Sequence, residues 1–181
     1  MTDIASPENV LSFWREAGPK KWFKKDAAFD DEIRARFLPA YEAAAAGKLS
    51  SWEQTAAGAL ALLIVLDQFP RNMFRNDART FAADPLAREV ADRAIARGFD
   101  KSFPNERNFF YLPYTHSENL ADQERCVALS RTTGKPDDLK WAELHADIIR
   151  KFGRFPHRNA VLGRKTTPEE QAFLDGGGFA G

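Results

Sequence analysis

Two short stretches share a kernel in which an aromatic residue and a proline precede an arginine and an asparagine. They are "LDQFPRNMFR", Leu66 to Arg75, and "FGRFPHRNAVLGR", Phe152 to Arg164, the second with a histidine before the arginine. Guanidinium groups grip carboxylates or phosphates through two parallel hydrogen bonds, each worth roughly 1.5–3 kcal/mol when charge-assisted. Two such grips with aromatic packing reach about micromolar affinity for a small anion. The residues that could build such a site are Asp67, Arg71 and Asn72 in the first stretch, and Arg154, His157 and Arg158 in the second. His145 lies one helical turn from both Trp141 and Ile149, on or beside the apolar face of the helix leading into the second stretch.

A third stretch, "RNFFYLPYTHSENLADQ" from Arg107 to Gln123, adds aromatic walls, with Tyr111 and Tyr114 among them. It also adds His116 and Glu118 at the start of the next helix. The three stretches together describe one polar cluster, with Asp67 and Glu118 orienting the cations. Three uses are open to it: holding a small anion or a peptide carboxylate; docking a peptide on a surface that displays Tyr111 and Tyr114; or hydrolase or lyase chemistry by a histidine paired with Asp67 or Glu118. A purely architectural use stands beside these, since arginines next to prolines also clamp loop carbonyls that would otherwise be buried without partners.

No metal or cofactor is expected. His116, His145 and His157 lack ligand spacing, and Arg154 and Arg158 beside His157 oppose a further cation. The only cysteine, Cys126, sits in an apolar stripe of "QERCVALS" and reads as a small buried hydrophobe.

The totals set the frame. The chain has 181 residues, enough for one domain with a real core, and 26 basic residues balance 26 acidic ones. No global field therefore draws it to nucleic acid or to an anionic membrane, and neither partner is expected. "KKWFKKD", Lys20 to Asp26, does mix cations with aromatics, but its "WF" reads as an anchor at a helix start among solvated lysines. The N-terminus lacks the basic region and apolar run of a signal peptide. The most apolar run, "AAGALALLIVL", is about half of the ~20 residues that a membrane span requires. The expected location is the cytoplasm.

Helix punctuation is dense. Ser6 with Pro7, Asp84 with Pro85, and Thr167 with Pro168 read as N-terminal starts, and Gly98 and Gly153 as stops. "SSWE" at Ser50 reads as a capping box with Glu53, and Ser117 precedes another helix. Proline at position 70 should end the apolar helix near Phe69 in a sharp turn. Apolar residues recur at intervals of three and four, as in Leu86, Val90 and Ala94, and no stretch alternates as a strand would. The expectation is a single all-α domain over 1–181 with about eight or nine helices. The glycine-rich end from about residue 175 should be frayed.

On the same residues the chain resembles DUF924, a family of bacterial proteins of unknown function. The resemblance is carried by "VLSFWREAG", "KWFKKDAAFD", "LALLIVLDQFPRNMFR", "FAADPLAREVADRAIARGFD", "FFYLPYTHSENLADQ" and "HADIIRKFGRFPHRNAVLGRKTTPEEQAFL", which span nearly the whole length. It implies a tetratricopeptide-like, right-handed array of antiparallel helix pairs, and it implies no activity.

Overall fold

A computed structural model describes residues 4–180. The chain forms two compact units, Met1–Pro113 and Tyr114–Gly181. Among the described residues every regular element is helical, and no helix is long and apolar enough to cross a membrane.

The first unit is built on α1 (Pro7–Ala17), the single turn α2 (Pro19–Trp22), α3 (Ala27–Ala45), α4 (Ala56–Leu63), α5 (Phe69–Met73) and α6 (Asp84–Ala96). Ser6 caps α1 as expected, with Asn9 answering its backbone N–H in a capping box. The first-unit core is aromatic: Phe13 packs on Phe37 at 5.0 Å, Phe37 on Phe69 at 4.8 Å, and Trp14 on Phe69 at 5.7 Å and Phe109 at 5.9 Å. These rings are essentially sealed from water, the apolar burial that dominates folding energetics.

Three local expectations are corrected. "SSWE" forms a 3-10 turn, Ser50–Gln54, and Thr55 caps α4 instead. Glu53 is drawn off to Arg93 at 2.7 Å. That turn crosses so closely over α4 that a Cβ on Gly58 would lie 2.0 Å from the Trp52 carbonyl oxygen. Asp84 lies inside the first turn of α6 and makes no cap, because its carboxylate is committed to Arg71. The apolar helix does not end at Phe69. It widens through one π-helical segment, Ile64–Gln68, in which the Phe69 N–H reaches back five residues to the Ile64 carbonyl, and continues as α5. Pro70 falls in the first turn of α5, where a missing N–H costs nothing.

The second unit contains most of the short turn α7 (Leu112–Thr115), then α8 (Leu120–Arg131), α9 (Pro136–Phe152) and α10 (Pro168–Asp175). α8 packs along α9. Asn119, not Ser117, caps α8, because Ser117 accepts from the Asn119 N–H and donates to Asp122 at 2.5 Å. α9 stops at left-handed Gly153, and Thr167 and Glu170 form the capping box of α10, both as the punctuation predicts. The core holds Ile148, Ile149 and Phe155, with Phe152, Phe173 and Phe179 packed against it. The glycine-rich end is thus held at Phe179, whose ring finds apolar partners that a local reading cannot see. Cys126 is buried, forms no disulfide and lies with its Sγ 2.9 Å from the Thr115 hydroxyl, and burial pushes its thiol above the ordinary range.

Gly58→Ala tests the crossing over α4. Helix propensity alone predicts a gain of about 1 kcal/mol. The clash with Trp52 predicts a loss of about 2 kcal/mol or more in urea denaturation.

Candidate functional site

Asp67, Arg71, Asn72 and Tyr111 fall in the first unit, and His116, Glu118, His145, Arg154, His157 and Arg158 in the second. Each kernel is closed by carboxylates that the kernel sequence does not contain.

In the first unit the π-helical segment brings Asp67 and Gln68 inside, and α5 follows with Arg71 and Asn72. Arg71 donates to the Asp67 carbonyl at 2.5 Å and forks onto Asp84 with contacts of 3.1 Å. Its guanidinium also lies 3.6 Å from the Asp67 carboxylate, to which Gln68 donates at 2.5 Å. Asn72 donates to Asp30 of α3 at 2.7 Å, and Arg75 forks onto the same carboxylate. These acids are buried. A guanidinium held between two carboxylates has no fork to spare for a guest. Tyr111 is sealed, 1% exposed, with its hydroxyl on Asp100 at 2.6 Å. Tyr114, in the second unit, is equally buried beneath the Arg125 guanidinium. Neither tyrosine is displayed for peptide docking, because both rings fill cores.

In the second unit Glu170, 2% exposed, gathers four donors: Arg154 Nε at 2.6 Å, Arg154 Nη2 at 2.8 Å, the Thr167 N–H at 2.8 Å and Asn159 Nδ2 at 3.0 Å. These donors, Arg154 foremost, hold its carboxyl down to about 2. Glu118 accepts from Arg164 at 2.7 and 2.9 Å and from the Phe155 N–H at 2.8 Å. Burial pushes the Glu118 carboxyl up, but Arg164, the Phe155 N–H and the charge of Arg158 together bring it below the ordinary range. Arg158 donates to the His116 carbonyl at 2.9 Å and covers the Phe155 ring at 4.5 Å. Arg154 and Arg164 are therefore clamps between the loop after α9 and the carboxylates of α10 and the α8 approach.

Two histidines pack into the same unit. His145 is buried, its Nδ1 2.8 Å from the Trp141 carbonyl, its ring edge-on to Phe155 at 5.7 Å and Phe179 at 4.6 Å. His157 lies 5.6 Å from Phe155 and 5.3 Å from Phe179, and its buried Nδ1 has no hydrogen-bond partner among the described residues. Burial, then the charges of Arg158, His145 and His116, lower its pKa from 6.5 to about 4, so the ring is neutral at physiological pH. Acid–base catalysis by a histidine and Glu118 finds no support in this geometry, since Glu118 is occupied by Arg164 and the Phe155 N–H. Among the described residues no three of His, Cys, Asp and Glu are placed to hold a metal. The kernel reading missed Asp30, Asp84, Arg164 and Glu170. The one available signal was that acids at helix starts, as in "DPLA" and "TPEE", must answer buried arginines somewhere.

Residues 10–178 match the family described as bacterial protein of unknown function (DUF924), and the chain belongs to that family. A solved structure titled as a protein of unknown function, ATU0120 from Agrobacterium tumefaciens, is 48% identical. The match covers 94% of this chain and 97% of that one, with a TM-score of 0.91. Comparison with curated proteins finds no match.

The Glu170 clamp makes a signed prediction. Its folded pKa lies below the unfolded one, so the unfolded chain takes up the proton first. The contribution is complete above the ordinary 4.5 and disappears as pH falls towards about 2. Arg154→Ala should be clearly less stable than wild type at pH 7, and the gap should close near pH 2 in denaturation curves.

Proposed function

For this DUF924 member we propose a cytoplasmic binding protein whose second unit holds a small carboxylate or phosphate anion at His157, with His116, His145 and Arg158 around it. The observation that carries this is the buried, unpartnered Nδ1 of His157 in the field of Arg158. An unpaired buried polar atom costs about 1–3 kcal/mol, and an anion oxygen accepting from Nδ1–H would recover it. The ten-residue cluster contracts to this corner because Arg71 is committed to Asp67 and Asp84, and Arg154 to Glu170. With one charge-assisted contact in place of two forks, affinity belongs nearer millimolar than micromolar. The tetratricopeptide-like array of helix pairs is part of the proposal, supported by the packing of α8 along α9. A peptide carboxylate is the second form of ligand, favoured by the exposure of Trp141 on α9.

An anion beside His157 favours the imidazolium, so binding takes up a proton and strengthens on acidification. Without ligand the sign reverses: the unfolded histidine protonates first, and stability falls between pH 6.5 and about 4, by at most about 1.4 kcal/mol per pH unit. Thermal unfolding with millimolar phosphate or succinate should show stabilisation of wild type, larger at pH 5.5 than at pH 8. His157→Asn should lose both the anion response and the acid slope. An equal response in wild type and His157→Asn, or none in wild type, refutes the site.

A further inference from the structure

In the first unit the corner between α1 and α3 places its two aromatic residues in opposite environments. Trp22 is pinned inward: its Nε1 donates to the Trp14 carbonyl at 2.6 Å, its ring stacks on Trp14 at 5.6 Å, and it meets Phe109 edge-on at 5.0 Å. With Trp22 fixed, Phe23 is turned out. It is 65% exposed, the most exposed large apolar side chain among the described residues, and is backed only by Trp22 at 6.3 Å and Phe109 at 6.5 Å. The anchor expected of "WF" is therefore one residue, Trp22, and Phe23 contributes little to the core.

Around Phe23 stand Lys20, Lys21, Lys24 and Lys25, all exposed. Arginines of the same unit are matched with acids, as in Arg15 with Glu106, Arg71 with Asp84, Arg75 with Asp30 and Arg93 with Glu53. These lysines are not: among the described residues no carboxylate pairs with any of the four, and Lys21 rests over the Phe29 ring at 5.6 Å. The nearest acid in sequence, Asp26, is committed to the N–H groups of Ala28 and Phe29 at the start of α3. A chain with no net charge thus carries four uncompensated positive charges within six residues, arranged about an apolar tip.

We propose that the Lys20–Lys25 corner is a peripheral membrane contact, in which Phe23 enters the interfacial layer of an anionic bilayer while the four lysines face headgroup phosphates. Charge complementarity selects an anionic occupant, and the shape selects a surface. A protruding ring has no groove to receive a peptide, but it fits the boundary between headgroups and acyl chains. Compact, hydrated ammonium groups suit phosphates of no fixed spacing, and the corner has none of the arginine forks that read base edges. The absence of a membrane-crossing helix does not bear on this mode, which lies on the bilayer.

Sedimentation with vesicles tests it. Binding is expected to mixed phosphatidylglycerol–phosphatidylcholine vesicles, not to phosphatidylcholine alone, and should weaken as salt rises. Phe23→Ser should cut the partition coefficient roughly tenfold with the unfolding midpoint unchanged. Each Lys→Gln should cost roughly fivefold. Emission from a Phe23→Trp variant should shift to the blue on the anionic vesicles only. No binding to anionic vesicles overturns the proposal, and so does binding that Phe23→Ser leaves intact. Tighter, Phe23-dependent binding to polyglutamate or a single-stranded oligonucleotide also overturns it, assigning the corner to a different polyanion.

Discussion

A carboxylate is costly to withdraw from water unless a paired cation holds its charge, and that constraint shapes both units. Removing one member of such a pair leaves a buried charge whose cost far exceeds what the intact pair contributes. Arg71 with Asp84, Arg75 with Asp30, Arg154 with Glu170 and Arg164 with Glu118 all follow it. Each joins elements well separated along the chain, so each pair also selects which helix ends may meet. The repeated Phe-Pro-Arg-Asn pattern is in large part a repeated solution to closing a helix end with a cation.

The first kernel shows how backbone and side chains cooperate in that closure. Proline at position 70 removes a donor from the most apolar helix, and the π-helical segment before it keeps the chain helical. Asp67, Gln68, Arg71 and Asn72 follow from this segment into two sets of contacts, Arg71 with Asp67 and with Asp84 of α6, and Asn72 with Asp30 of α3.

The second kernel is closed less completely. Its Arg164 and Arg154 satisfy Glu118 and Glu170, while His145 and His157 pack their rings against Phe155 and Phe179. There the electrostatics run against charge on the imidazole, because Arg158 and neighbouring histidines add to the cost of burial. On the proposed reading, a neutral His157 beside the fixed cation of Arg158 suits reversible capture of an anion, since the guest supplies the charge that the site lacks. On that reading the kernel is divided: Arg154 and Arg164 hold the loop, and His157 is the group that meets the guest.

Local physics was legible in the residues. Helical character, the caps at Ser6 and Thr167, the left-handed stop at Gly153 and the burial of Cys126 depend on neighbours within about four positions, or on side-chain type alone. What the tertiary structure decided was partnership. Arg71 finds Asp84 thirteen positions away, Asn72 finds Asp30 at forty-two and Arg164 finds Glu118 at forty-six. Asp84 could be read as a cap and Arg154 as an anion-binding group because each would serve so if alone. Packing gave them each other side chains first. Tyr111 and Phe23 make the same point in opposite directions, one aromatic sealed in a core and the other turned to solvent by the pinning of Trp22. Residue type sets what a side chain can do, and only the three-dimensional neighbourhood decides which of those capacities is already used.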